Sequence, residues 1–138
     1  MMIASKVKRR VATIDENKFV SDAAQLMTKE FIGSVVVTNA SGGRGLFTER
    51  EVMMNVVGKG KDPKKVLIKD VITRDPITVS PNDTAGTCLD LMKEHRCLHL
   101  LVFEGNEFVG TVSLRDVAEL MIDQKETLIQ HLEKYITS

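Results

Sequence analysis

Residues 110–117 read GTVSLRDV, and residues 45–52 read GLFTEREV. Both stretches carry a glycine, a hydroxyl three residues later and a carboxylate three residues after that. At their offset of 65 positions (110 − 45), residues 11–54 align with 76–119 without a gap. Composition predicts about two or three chance identities in such a window. The window contains eight: Thr13/Thr78, Asn17/Asn82, Leu26/Leu91, Met27/Met92, Val37/Val102, Gly45/Gly110, Arg50/Arg115 and Val52/Val117. The chain is therefore a tandem duplication, and we expect the same unit of structure to occur twice.

Each half has the same predicted order of elements. A short extended stretch precedes a helix with apolar residues at spacings of three and four, and a continuous apolar run typical of a buried strand follows. A glycine-containing turn then leads to a second strand, and a helix starts at the hydroxyl. The predicted ranges are strands at 11–14 and 76–79, helices at 20–30 and 85–95, strands at 34–38 and 99–103, strands at 45–47 and 110–112, and helices from 48 and 113.

The sequence thus predicts an α/β (α+β) fold of two tandem β-α-β-β-α repeats, residues 1–60 and 61–138. The second repeat includes a C-terminal helix over about 114–136. The apolar stripe of this helix lapses around 123–127, which leaves a bend open there. It is also open whether the helix packs on its own core or projects to meet a second copy of the chain.

Composition and charge restrict the classes of function. The chain has 138 residues, with 19 Lys and Arg against 19 Asp and Glu, so no overall field draws it to nucleic acid or an anionic membrane. No apolar run approaches the roughly 20 residues of a membrane span, and MMIASKVKRR lacks the apolar segment of a signal peptide. Cys88 and Cys97 form no disulfide framework. We expect a reduced, cytoplasmic protein without a membrane partner.

The repeated hydroxyl and carboxylate fit a helix cap. In a capping box, an N-cap hydroxyl accepts from the N3 amide, and an N3 Glu accepts from the N-cap amide. Thr48 and Glu51 match this pattern, whereas Asp116 is shorter than the usual partner and is expected to fit Ser113 less well. Capping does not explain the glycine three residues earlier, which leaves room for something to approach the backbone.

The same spacing also suits a phosphorylated sugar. A helix N-terminus presents N–H groups and a partial positive charge to phosphate. The hydroxyl can donate to a ligand oxygen, and a carboxylate one turn later can accept from vicinal hydroxyls such as those of ribose. Arg50 and Arg115 can neutralise phosphate. From the residues alone, capping and ligand binding both remain open.

Two β-α-β-β-α units that each end in this motif resemble a CBS-domain pair, also called a Bateman module. The stretches VLIKDVITRDPITVSPNDT and LMKEHRCLHLLV are similar to small stand-alone prokaryotic members, and the resemblance covers about residues 7–122. It implies repeats packed about a pseudo-twofold axis with two clefts for adenosyl ligands: AMP, ADP or ATP, and also S-adenosylmethionine or NAD(H). It further implies a non-catalytic regulatory sensor that forms a homodimer and acts in trans on an unidentified effector protein.

Carried over residue by residue, the resemblance implies two unequal sites. In the first site Asp116 would hold ribose hydroxyls and Ser113 would lie by the phosphate. The predicted members of this site are Thr13, Gly33, Ser34, Gly110, Thr111, Ser113, Arg115 and Asp116. A second, weaker site would comprise Thr78, Leu98, His99, Phe47, Thr48, Arg50 and Glu51. Glu51 replaces the family's Asp, and the second strands read VVV and LLV where many members carry proline.

Other functions have less support in the sequence. His95, Cys97 and His99 alternate as strand ligands would, but three candidates at a helix end make a poor zinc site, and no metal or catalytic residue is predicted. The chain contains no nucleophile elbow, Walker loop or Rossmann fingerprint. The alternatives are nucleic-acid binding through the basic stretches 6–10 and 58–65, or a dimerising module without a nucleotide. The chain has no Trp and a single Tyr, which disfavours base stacking.

Overall fold

The computed structural model describes residues 1–73 and 75–137, without the side chains of 135–137. The chain forms two compact units. The first-repeat unit is Arg10–Pro76, and the second-repeat unit combines Met1–Arg9 with Ile77–Ser138. Each unit contains one β-α-β-β-α repeat around its own three-stranded sheet, so the predicted tandem repeat and the mixed α/β class are confirmed.

The first-repeat unit is built on a sheet of order β1-β2-β3. β1 (Thr13–Asp15) pairs in parallel with β2 (Ser34–Thr38), which pairs antiparallel with β3 (Arg44–Thr48). The crossover between the parallel strands is α1 (Val20–Glu30), whose buried face follows helical periodicity. The core of this unit consists of Val20, Ala23, Met27, Val35, Val37, Phe47, Val56, Ile68 and Val71.

The second-repeat unit has the same topology, with a sheet of order β4-β5-β6. β4 (Thr78–Val79) pairs in parallel with β5 (His99–Glu104), and β5 pairs antiparallel with β6 (Glu107–Ser113). α3 (Ala85–His95) is the crossover. The core of this unit consists of Ile3, Val79, Ala85, Cys88, Met92, Leu100, Val102, Val112, Val117 and Leu120.

The repeat offset is preserved in the structure. Both ends of α1 and α3 differ by 65 positions (85 − 20 and 95 − 30), as predicted. The next residue in each repeat is left-handed, Phe31 with φ 55° and Arg96 with φ 52°, and this conformation ends the helix. β1 and β4 both begin two residues after their predicted starts, at Thr13 and Thr78, which are equivalent positions of the repeat.

The helix that follows the first motif is irregular. It comprises α2 (Glu49–Glu51), a π turn (Val52–Val56) and a 3-10 turn (Val57–Lys59). Gly58 lies in this segment, and a Cβ there would be 2.9 Å from the carbonyl oxygen of Met53. The absence of a side chain at residue 58 therefore permits the tight turn that ends the helix.

The helix that follows the second motif is regular. α4 (Leu114–Thr137) runs without interruption through 123–127, where the sequence left a bend open. Val117 and Leu120 in its first two turns are buried, whereas Leu128 and Leu132 are more than half exposed. α4 thus packs on its own core at its start and projects from it further on. Within the described residues, no helix has the length and apolar composition needed to cross a membrane.

The segment that precedes each repeat belongs to the unit of the other repeat. The backbone of Lys8 pairs with that of Thr111, with N···O distances of 2.8 and 3.0 Å. In the first-repeat unit, the Val20 amide donates to the Val66 carbonyl at 2.9 Å. The compact units therefore divide at 9/10 and 76/77, whereas the sequence repeats were divided at 60/61.

Candidate functional site

The second motif forms a closed cap at the start of α4. Oδ2 of Asp116 accepts hydrogen bonds from the Ser113 amide at 2.8 Å and from the Ser113 hydroxyl at 2.9 Å. The Asp116 amide donates back to Oγ of Ser113 at 3.1 Å. The expectation that Asp116 would fit the cap less well is therefore wrong. The short carboxylate contacts both the Ser113 amide and the Ser113 hydroxyl through the single oxygen Oδ2.

The carboxylate of Asp116 is almost completely buried, with a residue exposure of 5%. A buried charge requires compensation from hydrogen bonds, dipoles or ions. Ser113 and the N-terminus of the 24-residue α4 provide part of it at Oδ2. Among the described residues, Asp116 forms an ion pair with the ammonium of Lys8, whose Nζ lies 3.8 Å from Oδ1. Oδ1 therefore faces a long, exposed ion pair, since the Lys8 side chain is 62% exposed.

The first motif forms the same cap, but a different group donates to the second carboxylate oxygen. The Thr48 amide donates to Oε1 of Glu51 at 3.2 Å, and the Glu51 amide donates to Oγ1 of Thr48 at 3.4 Å. Oε2 accepts from the backbone amide of Thr73 at 2.7 Å. Burial raises the pKa of Glu51, although the Thr73 and Thr48 donors oppose the rise. Both oxygens of this carboxylate thus have short protein donors.

The recurrent glycines make room for the segments that precede the repeats. A Cβ on Gly110 would collide with the backbone carbonyl oxygen of Lys8. A Cβ on Gly45 would meet Cδ1 of Ile72 at 3.0 Å. The close approach expected from the sequence is therefore made by the protein's own chain in both units.

The sequence does not predict that Lys8 and Thr73 contact the motif carboxylates. They are themselves 65 positions apart (73 − 8), so the repeat extends beyond the aligned window, which began at residue 11. A longer alignment would have paired Val7 with Ile72 and shown that a segment before each repeat also recurs. No sequence signal indicates which motif each segment contacts.

Several other predicted site residues lie beside the motif of their own unit. The Leu114 amide donates to the Leu98 carbonyl at 2.8 Å, and His99 is the strand partner of Ser113. Likewise the Glu49 amide donates to the Gly33 carbonyl at 3.0 Å, and Ser34 is the strand partner of Thr48. Thr13 and Thr78 are exposed residues of β1 and β4. Each of the two predicted sites takes residues from both units, and these groupings stay predictions.

Three predicted site residues are buried or make other contacts within the protein. The side chain of Phe47 is fully buried in the first-repeat core. The amide and carbonyl of Thr111 both pair with Lys8. Nε of Arg115 donates to Glu119 at 3.3 Å, and the Arg115 side chain is 85% exposed. A role for Phe47 in binding is thus limited to its backbone.

In the part of the chain that the structure describes, the two cysteines and the other potential metal ligands form neither a thiolate site nor a metal site. Burial raises the pKa of Cys88 to about 11 and also raises that of Cys97, so both thiols are neutral. Among the described residues, no group of three or more His, Cys, Asp or Glu is arranged to hold a metal. An open groove of about 550 Å³ in the first-repeat unit includes Gly33 but neither motif carboxylate; it is lined by Ala24, Met27, Thr28, Phe31, Ile32, Gly33, Glu49 and Val52.

Comparison with known proteins identifies the repeats. The CBS domain family model matches twice, at residues 4–58 and 68–123. The mitochondrial CBS domain-containing protein CBSX3 of Arabidopsis thaliana is 28% identical over 122 residues, which cover 85% of this chain and 59% of that protein. The CBS domain-containing protein YhcV of Bacillus subtilis is 27% identical over 109 residues, which cover 79% and 77%.

A solved structure shows the same fold. A putative signal-transduction protein with CBS domains from Burkholderia ambifaria superimposes with a TM-score of 0.84 at 29% identity, over 89% of this chain and 95% of that one. The duplicated motif, the two β-α-β-β-α units and the two family matches agree. The chain belongs to the CBS domain family and contains two copies of the domain, which generally serves in regulatory modules.

Proposed function

We propose that this chain is a regulatory sensor that binds an adenine nucleotide, AMP, ADP or ATP, at the start of α4. CBS domains commonly bind adenosyl ligands, and NAD(H) and S-adenosylmethionine belong to the same chemical class. The observation that carries the proposal is the buried Asp116 carboxylate, whose Oδ2 is fixed by Ser113 while Oδ1 faces only a long ion pair with Lys8 in the described structure.

The fixed carboxylate suits a ribose. Two vicinal hydroxyls can donate to one carboxylate, and a buried, preoriented acceptor binds them without losing much side-chain entropy. The positive end of the α4 helix dipole lies within one turn of this acceptor and suits a phosphate group, whereas the Ser113 hydroxyl already donates its proton to Asp116.

We expect the Glu51 site to bind weakly or to stay empty. The backbone amide of Thr73 is a fixed donor at 2.7 Å from Oε2, and a ligand hydroxyl would have to displace it. The Lys8 ammonium is a weaker competitor, because its distance to Oδ1 is 3.8 Å and its side chain is exposed and flexible. The two carboxylates therefore differ in what a ligand must remove.

The proposed action is regulatory and not catalytic. The Ser113 hydroxyl is engaged in the cap as both donor and acceptor, so it does not serve as a nucleophile. We propose that ligand binding is transmitted in trans to an unidentified effector protein by a homodimer. The basic stretch 6–10 supports nucleic-acid binding less well, because Lys6 already pairs with Asp123 at 3.1 Å and with Glu119 at 3.8 Å.

A thermal-shift panel tests the ligand class. A ligand at about 100 times its dissociation constant stabilises the protein by about 2.7 kcal/mol. With an unfolding entropy of about 2.1 cal/mol/K per residue, this raises Tm by roughly 9 °C for a chain of 138 residues. We expect such a shift with at least one of AMP, ADP, ATP, NADH or S-adenosylmethionine, and none with GMP as the control. Absence of any shift up to millimolar ligand would contradict the proposal.

A further inference from the structure

The N-terminal segment of the second-repeat unit is fixed in place beside the motif. Ile3 is fully buried in the core, and its amide donates to the Asp83 carbonyl at 2.9 Å. Further along, Lys8 pairs through both its amide and its carbonyl with Thr111 on β6. The backbone of Lys8 is thus held by the sheet, independently of its side chain.

The side chain of Lys8 remains adjustable. Its Nζ lies 3.8 Å from Oδ1 of Asp116, which is beyond hydrogen-bond distance, and the side chain is 62% exposed. Lys6 provides a contrast on the same segment. Its Nζ lies 3.1 Å from Asp123 and 3.8 Å from Glu119, and its side chain is only 26% exposed. The hydrogen bond that Lys6 donates to Asp123 raises the pKa of Lys6. Lys6 is held by ion pairs with α4, whereas Lys8 places a loosely held positive charge beside the second motif.

The other repeat shows that this placement is specific to the second motif. Thr73, 65 positions after Lys8, contacts the first motif carboxylate, but with its backbone amide and not with a cation. The same position of the repeat therefore meets a motif carboxylate in both units. Only in the second-repeat unit does it bring a positive charge on a flexible stem.

We propose that Lys8 is a specificity-determining residue of the Asp116 site, which makes the site select phosphorylated adenosyl ligands over adenosine. This inference rests on the proposed function. When ribose hydroxyls bind Oδ1 of Asp116, the ammonium is released from its long ion pair and turns to the ligand phosphate. In the absence of ligand the same ammonium partly neutralises the buried carboxylate. Lys8 thus exchanges the Asp116 carboxylate for the ligand phosphate. A ligand without phosphate removes the first ion pair and offers the ammonium no second one.

The test measures dissociation constants for AMP and adenosine by isothermal titration calorimetry. The variants are Lys8→Met, which keeps an apolar stem of similar length, Lys8→Arg, which keeps the charge, and Lys6→Met as the matched control. A charge-assisted contact to phosphate corresponds to about a tenfold difference in affinity. We expect Lys8→Met to weaken the affinity for AMP about tenfold, while the affinity for adenosine changes less than about twofold. Lys8→Arg should keep most of the preference for AMP, and Lys6→Met should keep all of it.

The outcomes separate this inference from the proposed function. If wild type binds AMP and Lys8→Met leaves the ratio of AMP to adenosine affinity unchanged, the role of Lys8 is refuted and the proposed function stands. An equal loss of both ligands in Lys8→Met would also refute it, because it would indicate a general effect on the site. If wild type binds neither these two ligands nor any other ligand of the thermal-shift panel, the proposed function fails and this inference fails with it. Melting temperatures of all variants confirm folding, which we expect for the Lys8 variants because the Lys8 side chain is 62% exposed.

Discussion

The two motif carboxylates perform the same capping task at the residue scale, but they differ in their second oxygen. Glu51 has a backbone amide at 2.7 Å, and Asp116 has an ammonium at 3.8 Å. One methylene of side-chain length separates the two residues. The longer Glu reaches a neighbouring backbone as well as its cap, whereas Asp keeps its second oxygen near a movable side chain. This difference is our reason for assigning the ligand to Asp116.

The two recurrent glycines should differ in their tolerance of alanine. At Gly110 the new Cβ meets the Lys8 carbonyl, which accepts a hydrogen bond from the Thr111 amide, whereas at Gly45 it meets the end of the Ile72 side chain, which can rotate. We expect Gly110→Ala to destabilise the protein by about 1–3 kcal/mol. Gly45→Ala should cost less than about 1 kcal/mol, since the reduced entropy of the unfolded chain offsets the contact. Urea unfolding measures both, and equal costs would contradict the close approach of Lys8.

Stability should depend on the protonation of Glu51. Burial raises the pKa of Glu51 above 4.5 in the folded state, so the folded protein binds this proton more tightly than the unfolded chain does. The contribution is therefore favourable at low pH and is lost as pH rises from about 4.5 through the folded pKa. We expect the stability of wild type relative to Glu51→Gln to fall over this interval and then to stay constant. Urea unfolding at several pH values checks this, and a rise in relative stability with pH would contradict it.

At the element scale, the two crossover helices end in the same way and the two motif helices do not. α1 and α3 each stop at a left-handed residue that is not glycine, Phe31 or Arg96. After the motifs, one repeat has an irregular helix with a π turn and the other has the continuous α4. A duplicated sequence thus keeps its crossovers and diverges in the helices that follow the motifs.

The left-handed end of α1 predicts a stabilising substitution. Phe31 is 98% exposed, so glycine there loses little packing and gains relief from the cost of a Cβ at φ 55°. We expect Phe31→Gly to be more stable than Phe31→Ala by about 1 kcal/mol. The alanine variant is the control, because it also removes the ring but keeps the Cβ. Chemical unfolding that ranks the alanine variant above the glycine variant would contradict a left-handed cap at this position.

At the scale of the whole molecule, each compact unit is completed by the segment that precedes the other repeat. Ile3 enters the core of the second-repeat unit, and Ile68 and Val71 enter the core of the first-repeat unit. A cut at the sequence boundary of the repeats would therefore remove core residues from both units. The chain is thus a duplicated pair of CBS domains in which the segment before each repeat belongs to the compact unit of the other repeat.

The sequence was sufficient for the order of the elements, because a 65-residue repeat gives two observations of every helix and strand. It was not sufficient for the partners of the motif carboxylates, since Lys8 and Thr73 reach them through tertiary contacts that no local pattern encodes. Side-chain length alone does not predict the cap at Asp116, because the cap also depends on the position of the Ser113 amide. The π turn after the first motif likewise has no signature in the apolar pattern of 48–59.

The most direct test of the central claim is a calorimetric titration of AMP into wild type, Asp116→Asn and Glu51→Gln. Asparagine keeps an oxygen for the Ser113 cap but loses the carboxylate that would accept two ribose hydroxyls. We predict binding to wild type, at least tenfold weaker binding to Asp116→Asn, and little change in Glu51→Gln. Undiminished binding to Asp116→Asn together with a loss in Glu51→Gln would place the ligand at the first motif and contradict the account.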